Sequence, residues 1–377
     1  MTNLLFFELL QVSLGKIISL SKKPSDEEWK QLFKICQKQS ITGIAFTAID
    51  KLSESGHKPP LPILYEWIGQ SGQIKQQNRI VNQNVVALCN ELEKDGFDCC
   101  ILKGQGNATL YDVGSKKENG RCLALLRMPG DIDVWVIPKS DGRYKKEDIK
   151  RVIRYVKKRN PQGKAMYHHI DYGLYNGTEV EVHYRPSFMF NPIHNRRLQK
   201  WYKKMADGGW LMAELPEGAG SIRIPNREFN IVFQLSHIYN HLLHEGIGLR
   251  QIIDYFYALK SNTNRTNDTN IINLLNYLGL TKIAGAMMWV LHEKLGLPKD
   301  YLIAPMDERR GIVLLDEIMR GGNFGHYDSD NIKATSRLKK NVQRIKRDLR
   351  LMRYFPSECM WEPWFRVYHL FWRLSYN

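Results

Sequence analysis

The sequence predicts an α+β fold, in which a small mixed sheet with its helices forms a core between two helical regions. Three observations support this prediction. Residues 130–136 alternate acidic with apolar side chains, the two-residue period of a β-strand. Asn176 and Gly177 separate two further alternating runs, and this dipeptide is a strong hairpin signal. Apolar residues recur at helical spacing before residue 93 and after residue 228.

The N-terminal region, residues 1–92, is predicted to be helical. Ser25 and Glu28 have the spacing of a capping box, in which the serine is the N-cap and the glutamate lies three residues further on. A proline-rich break at 59–62 precedes a long helix, expected over residues 63–93. We assign no chemistry to this region on its own. The core is expected over residues 93–190, and a second helical domain over 191–377.

Acidic residues on the predicted strands form the candidate metal site. Asp131 and Asp133 lie two positions apart, so a strand places both on one face, with their backbones about 7 Å apart. Two acids on one face repel each other unless a cation relieves them. Carboxylate oxygens suit Mg²⁺. Glu181 and His183 share a face of a later strand, and Glu181 as a third carboxylate would complete the site.

A glycine turn precedes the acidic strand. A short apolar strand ends at Lys103, Gly104 and Gln105 follow, and a helix is expected to begin near Ala108. Such a turn presents backbone N–H groups to an anion. The Lys103 ammonium adds a positive charge beside them. We therefore expect Lys103, Gly104 and Gln105 to hold phosphate groups.

These motifs resemble the uncharacterised nucleotidyltransferase family of the polymerase-β-like superfamily. The resemblance rests on residues 102–104, 127–133 and 181–183, and it extends to 229–259 and 355–363. It implies a polymerase-β-like nucleotidyltransferase core, a mixed sheet with helices, as the catalytic domain over 93–190. Two departures stand out. The usual Gly-Ser or Gly-Gly turn is here Gly104-Gln105, and the connection over 112–126 is longer than the family's.

The resemblance implies phosphoryl transfer with two metal ions. Mg²⁺ or Mn²⁺ on Asp131 and Asp133 would hold the triphosphate of an NTP, expected to be ATP. A second ion shared with Glu181 would lower the pKa of an acceptor hydroxyl. Arg127 would neutralise charge in the transition state, or else form a surface salt bridge. The acceptor stays open among a small molecule, a protein and RNA.

Composition leaves two rival functions open. The chain of 377 residues has a formal charge of +16, which attracts polyanions such as nucleotides, RNA or an anionic membrane surface. One rival enzyme transfers or hydrolyses another phosphoryl group. The other rival is a non-catalytic RNA- or partner-binding protein that retains the nucleotidyltransferase fold. A predicted basic helix over 145–158 keeps RNA binding open, although a basic helix face is more often simply solvated.

Histidines form a further set of candidates. His183 is either packed in the core or part of the site, and His169 on the preceding strand could approach the same position. Three histidines, at i, i+4 and i+7 of one predicted helix, have a spacing that could bind zinc: His237, His241 and His244. Packing against the core is the interpretation we favour for them.

Other predictions concern the C-terminal domain. Arg250 and Asp254 have the i, i+4 spacing of a helix ion pair, or face the nucleotide. Residues 186–220 are expected to be largely irregular. The aromatic tail over 361–372 forms an amphipathic helix, which we expect to dock on the core. A peripheral contact with a membrane surface or a partner is the alternative.

Cysteine usage and hydropathy indicate the compartment. The six cysteines lack CxxC or metal spacing, which is typical of reduced thiols in a cytosolic protein. No stretch approaches the roughly 20 apolar residues that a transmembrane helix needs. We therefore expect a cytoplasmic protein without a transmembrane segment.

Overall fold

The fold is described here from a computed structural model. The structure describes residues 2–54, 56–112, 122–139, 146–261, 269–327 and 337–376. Most of the connection over 112–126, the one longer than the family's, lies outside these described residues.

Four helices form the N-terminal region, as predicted: α1 (Thr2–Ser13), α2 (Asp26–Lys38), α3 (Thr42–Glu54) and α4 (Leu61–Lys94). The expected capping box begins α2. Ser25 Oγ accepts from the Glu28 backbone N–H at 3.3 Å, and the Glu28 carboxylate accepts from the Ser25 N–H at 2.9 Å. These reciprocal bonds satisfy donors that a helix start leaves unpaired. Helix α4 begins directly after Pro60, where the proline-rich break was expected.

A four-stranded mixed sheet lies at the centre of the core, which confirms the predicted fold class. Its strands are β1 (Phe97–Ile101), β2 (Ile132–Pro138), β3 (His169–Tyr175) and β4 (Thr178–His183). Their order is β1-β2-β4-β3. Strands β2 and β4 run parallel, whereas β1–β2 and β3–β4 are antiparallel. Asn176 and Gly177 both have positive φ, 48° and 82°, which is the turn predicted for the β3–β4 hairpin.

The connection from β1 to β2 differs from its prediction. The helix expected near Ala108 is the single turn α5 (Gln105–Ala108), which starts three residues earlier. The reason is the conformation of Gly104, whose φ of 58° reverses the chain at once. The Ala108 N–H then donates to the Gly104 carbonyl at 3.0 Å and closes the turn. Helix α6 (Lys146–Arg159) follows β2 and packs on the sheet.

The stretch over 186–220 is not irregular, so that expectation was wrong. It holds α7 (Pro192–Met205) and β5 (Trp210–Glu214), and β5 pairs antiparallel with β6 (Ser221–Pro225). Asn191 caps α7 through its side chain, and proline is favoured at the first helical position. The helix then buries Leu198 and Tyr202, which provide the packing that local propensity did not reveal.

Helices make up most of the described chain after β6. They are α8 (Arg227–His244), α9 (Leu249–Lys260), α10 (Thr269–Tyr277), α11 (Thr281–Trp289), α12 (Glu308–Gly321), α13 (Arg337–Met352) and α14 (Pro356–Tyr376). Helices α8 and α9 are buried along most of their length and lie behind the candidate site. Within the described part of the chain, no helix is long and apolar enough to cross a membrane.

Candidate active site

A row of acidic side chains crosses three strands on one face of the sheet. The parallel register places Asp133 of β2 beside Glu181 of β4, and the hairpin register places Asp171 of β3 on the other side of Glu181. In the next row, His183 of β4 lies opposite His169 of β3. Because alternate residues of a strand share a face, these five side chains point the same way. We call Asp133, Glu181 and Asp171 the acidic row, and we call His183 and His169 its two histidines.

Asp133 is the buried end of the acidic row. Its Oδ1 lies 2.8 Å from Lys103 Nζ and 3.0 Å from His183 Nε2. Burial alone would raise the pKa of Asp133, but the positive charge of Lys103 and the His183 hydrogen bond lower it below its ordinary value. Burial opposes protonation of His183, yet its hydrogen bonds to Asp133 and Glu181 raise its pKa to about 9. The pair is therefore charged at neutral pH.

Glu181 occupies the middle of the acidic row. Its Oε2 lies 3.5 Å from His183 Nε2 and 3.4 Å from His169 Nδ1. Burial raises the pKa of Glu181, but the His183 hydrogen bond and the positive charges of His169, His183 and Lys103 outweigh it and lower the pKa to about 2. Glu181 is thus an ionised carboxylate, one third exposed, between two imidazoles.

Two overlapping groups of donor atoms in the acidic row have metal-ligand spacing. Asp133, Glu181 and His183 each offer one atom, and all three atoms lie within 4.8 Å of one another. The same holds for His169, Asp171 and Glu181. Asp131 belongs to no such group among the described residues. Strand β2 begins at Ile132, so Asp131 directly precedes the strand, and its negative charge acts on Lys103. Its predicted metal role stays a prediction.

The glycine turn lies against the acidic row. The Lys103 ammonium, which the sequence predicted to bind phosphate, lies between Asp133 and His237. Its Nζ is 3.2 Å from His237 Nε2. A Cβ on Gly104 would lie 3.3 Å from the Asp131 carbonyl oxygen, so this turn and the start of β2 are in close approach. The Gln105 amide is buried and donates to Asn78 and Asn82 of α4. Its side chain therefore anchors the turn.

Arg127 forms a buried ion pair and not the surface salt bridge that was one of its alternatives. Its Nε and Nη2 donate to the two carboxylate oxygens of Asp254, each at 2.7 Å. Asp254 also accepts from the Tyr111 hydroxyl at 2.7 Å and from the Asn107 amide at 3.3 Å. Because Asp254 and a backbone carbonyl hold its donors, direct contact of Arg127 with a transition state would require this pair to open.

Arg250 and Asp254 do not form the helix ion pair that their spacing predicted. Asp254 pairs with Arg127, and Arg250 Nη1 donates to the carbonyl of Pro129 at 3.1 Å. Helix α9 thus supports the segment that leads into β2 from two positions. The sequence held no signal for the Arg127–Asp254 pair, because the partners lie 127 positions apart.

The three histidines of α8 serve two different places. His237 Nε2 lies 2.9 Å from His241 Nε2 and contacts Lys103 at the site. His244 instead lies 3.5 Å from Glu362 and packs edge-on against Phe190. Burial and the nearby Lys103 charge hold the pKa of His237 well below its ordinary value, so its neutral ring accepts from the Lys103 ammonium. The zinc alternative finds no support in this arrangement.

Comparison with known proteins assigns the chain to a family. The model of a family described as uncharacterised nucleotidyltransferase matches residues 25–296. The chain belongs to this family. The family resemblance seen in the sequence is thereby confirmed. Because the family is uncharacterised, membership supports a transferase but names neither substrate nor acceptor. No curated protein matches the sequence.

One solved structure is similar to the chain. It is the crystal structure of an antigenic nucleotidyltransferase-like protein from Paracoccidioides brasiliensis, 12% identical, with a TM-score of 0.33. The match covers 63% of this chain and 96% of that one. The assignment rests on the family match.

Proposed function

We propose that this protein transfers a nucleoside monophosphate from an NTP to a hydroxyl group of an acceptor, with release of pyrophosphate. The observation that carries the proposal is the cross-strand pair of Asp133 and Glu181, two ionised carboxylates on parallel strands with the Lys103 ammonium 2.8 Å from Asp133. Family membership supports the same reaction class. The acceptor is a small molecule, a protein or RNA.

The donor atoms fit a divalent cation. Carboxylate oxygens are the ligands that Mg²⁺ and Mn²⁺ take in proteins. The chemistry that such an ion would supply is to offset the charge of the triphosphate and to lower the pKa of the acceptor hydroxyl. In the proposal Asp133 and Glu181 hold the ion, and Asp131 reaches it from the position directly before β2. A pKa of about 2 favours a ligand role for Glu181 over a proton-accepting one, because so weak a base holds few protons at neutral pH.

Positively charged and backbone groups bind the nucleotide. Lys103 and the Gly104 turn contact the phosphates, and ATP is the expected nucleotide. Gln105 contributes through its backbone, since its side-chain amide is bonded to α4. For Arg127 we propose a positioning role in place of transition-state contact. Its pair with Asp254 holds the start of β2, and thus Asp131 and Asp133, in place.

One observation favours the non-catalytic alternative. Helix α6 exposes a basic face, with Lys150, Arg151, Arg154 and Lys158 on it. Such a face binds a nucleic-acid backbone through charge and loses affinity steeply with added salt. The intact acidic row favours catalysis, because a protein that binds polyanions gains nothing from three carboxylates in one row. The rival phosphoryl hydrolase shares the site and differs in its products.

The test is calorimetric titration of the four NTPs with Mg²⁺. We expect Mg²⁺-dependent binding, strongest for ATP, in the wild type and in Glu179→Gln, which removes an exposed carboxylate on the same strand as Glu181. Asp133→Asn and Glu181→Gln should lose it. Label from the α-phosphate of the bound NTP should then appear on the acceptor. Undiminished NTP binding by both variants would contradict the proposal. Salt-sensitive RNA binding without nucleotide would support the alternative.

A further inference from the structure

We propose that His169, Asp171 and Glu181 form a second, outer metal position that takes a transition metal such as Mn²⁺ in preference to Mg²⁺. Glu181 belongs to both positions, so the inference deepens the proposed function and rests on the same site. Metal binding can nevertheless be measured without any transfer activity.

Both carboxylates contact the His169 ring, but at different nitrogens, so a single ion on one nitrogen requires one carboxylate to move. His169 Nε2 lies 3.6 Å from Asp171 Oδ1, and His169 Nδ1 lies 3.4 Å from Glu181 Oε2. Ligands bound at about 2.1 Å lie roughly 3.0–3.4 Å apart in octahedral or tetrahedral geometry. One atom from each of the three residues lies within 4.8 Å of the others. A small movement of flexible carboxylates therefore completes the position.

Exposure distinguishes the outer position from the inner one. The side chains of Asp133 and His183 are each 1% exposed, whereas Glu181 is 32% and Asp171 51% exposed. The acidic row thus runs from a closed end at β2 to an open end at β3. The outer position is therefore the more solvent-exposed of the two.

The donor type decides the metal. Mg²⁺ prefers oxygen ligands and retains several waters, whereas imidazole nitrogen suits the transition metals. The proposed inner ion takes only carboxylate ligands from the protein, Asp133 and Glu181, whereas His169 supplies a nitrogen to the outer position. Mn²⁺ accepts carboxylate oxygens as readily as Mg²⁺ does and also accepts imidazole. Without a metal, the same contacts are weak ion pairs between His169 and two acids. The experiment must distinguish these ion pairs from metal binding.

The experiment is an electron paramagnetic resonance titration with Mn²⁺, followed by electron spin-echo measurement of ¹⁴N coupling. We expect the wild type to show nitrogen coupling and two bound ions. His169→Gln and Asp171→Asn should each bind the outer ion at least ~10-fold more weakly, since even second-shell changes cost that much. His169→Gln should also lose its share of the nitrogen coupling. His292 is a partly exposed histidine in the π-helix Val290–Lys294, so His292→Gln is the matched control and should behave as wild type.

The outcomes separate this inference from the proposed function. Unchanged Mn²⁺ affinity and nitrogen coupling in His169→Gln would overturn the outer position, even if Mg²⁺-dependent ATP binding stands. Nitrogen-coupled Mn²⁺ in a protein that binds no NTP would support the position and count against the nucleotidyltransferase proposal. Asp171 is half exposed, so Asp171→Asn gives a variant that folds even if His169→Gln does not.

A separate surface, on α14, carries a second inference. Large exposed apolar side chains recur along this helix at spacings of three and four: Met360, Trp364, Val367, Phe371 and Leu374. The opposite face docks on the core, as the aromatic tail was expected to do. Phe365 there stacks on Phe188 with ring centroids 4.8 Å apart, and Trp372 is buried. The helix is thus apolar on both faces, and only one of them is covered.

Charge identifies what covers the other face. Residues 337–376 include ten lysines and arginines but only three acids. The acids, Asp348, Glu358 and Glu362, are at most 3% exposed. The exposed charges that the structure describes on α13 and directly after it are therefore basic, among them Lys346 and Arg353. Apolar and aromatic side chains beside basic ones are typical of helices that lie on anionic membranes.

We infer that the exposed face of α14 binds the surface of an anionic lipid bilayer. The test is co-sedimentation with phosphatidylcholine vesicles that contain or lack 30% phosphatidylglycerol. Wild type should sediment with the anionic vesicles, less so at high salt, and Trp364→Glu with Phe371→Glu should sediment at least fivefold less. Tyr65→Glu, at an exposed aromatic of α4, is the control. No preference for anionic vesicles, or self-association that the same changes abolish, would overturn the inference.

Discussion

The ammonium of Lys103 lies 2.8 Å from Oδ1 of Asp133, and His237 contacts the same ammonium from α8. The same carboxylate is one that could hold a divalent cation, in the Asp133–Glu181–His183 group. The lysine and the proposed ion therefore share a ligand. In the absence of an ion, the lysine offsets the charge of a carboxylate that is otherwise buried.

Replacing Lys103 tests this relationship. We expect Lys103→Gln to destabilise the metal-free protein by about 3 kcal/mol, because it leaves Asp133 with less compensation. Mg²⁺ or Mn²⁺ should then raise the melting temperature of the variant more than that of the wild type. Asp133→Asn should abolish the response to metal in both backgrounds. An equal metal response with and without Lys103 would argue against a shared ligand.

Breaking the Arg127–Asp254 pair should strongly destabilise the protein. Both side chains are about 5% exposed, so Asp254→Asn leaves a buried guanidinium poorly compensated. We expect a loss of about 3–5 kcal/mol in the free energy of unfolding, measured by urea denaturation. Glu217→Gln is the control. It breaks the pair of Glu217 with Arg79, and because both side chains are over 40% exposed, the free energy of unfolding should fall by only about 0–1 kcal/mol. Similar small losses in both variants would refute the structural role.

Gly104 and Gly69 should respond oppositely to alanine. Gly104 has φ 58° and ψ −112°, a conformation that side chains disfavour, so Gly104→Ala should cost about 1–3 kcal/mol. Gly69 lies inside α4 with open space around its Cα, and Gly69→Ala should stabilise the protein by about 1 kcal/mol. Thermal melting measures both changes. A neutral Gly104→Ala would show that this turn tolerates another geometry.

The ionisation of Asp348 should make the free energy of unfolding fall as the pH rises. Burial and the negative charge of Glu362 raise the pKa of Asp348 from 3.8 to about 8. Between these values the folded protein holds a proton that the unfolded chain releases. Its stabilising effect is therefore complete below pH 3.8 and lost as the pH rises through 8, on the order of 1 kcal/mol per unit. The difference in unfolding free energy between wild type and Asp348→Asn, measured from pH 5 to 9, isolates it. A difference that does not vary with pH would contradict the assignment.

Several features of the fold follow from local sequence. Three of them are specified within a few residues. They are the capping box of Ser25 and Glu28, the turn at Asn176 and Gly177, and the alternation around Asp133. Steric limits on φ and ψ and the period of a strand act at that range. The strand neighbours Asp133 and Glu181 were also predicted, since both lie on alternating strands of one small sheet.

Other features depend on contacts that no local pattern encodes. Helix α7 forms because it buries Leu198 and Tyr202, in a stretch predicted to be irregular. Asp171 was not recognised as a candidate, although its position two residues after His169 places it on the same strand face. The hairpin register, with its bulge after Asp171, brings it beside Glu181.

The sequence by itself determined the strands that carry Asp133 and Glu181, the hairpin and the family. The tertiary structure alone decided which charges meet. The Lys103 ammonium contacts Asp133 and His237. Arg127 forms a buried ion pair with Asp254 and not a salt bridge at the surface. The physical reason is range. Local geometry follows from neighbouring residues, whereas a buried charge takes the partner that packing brings within 3 Å, however distant along the chain.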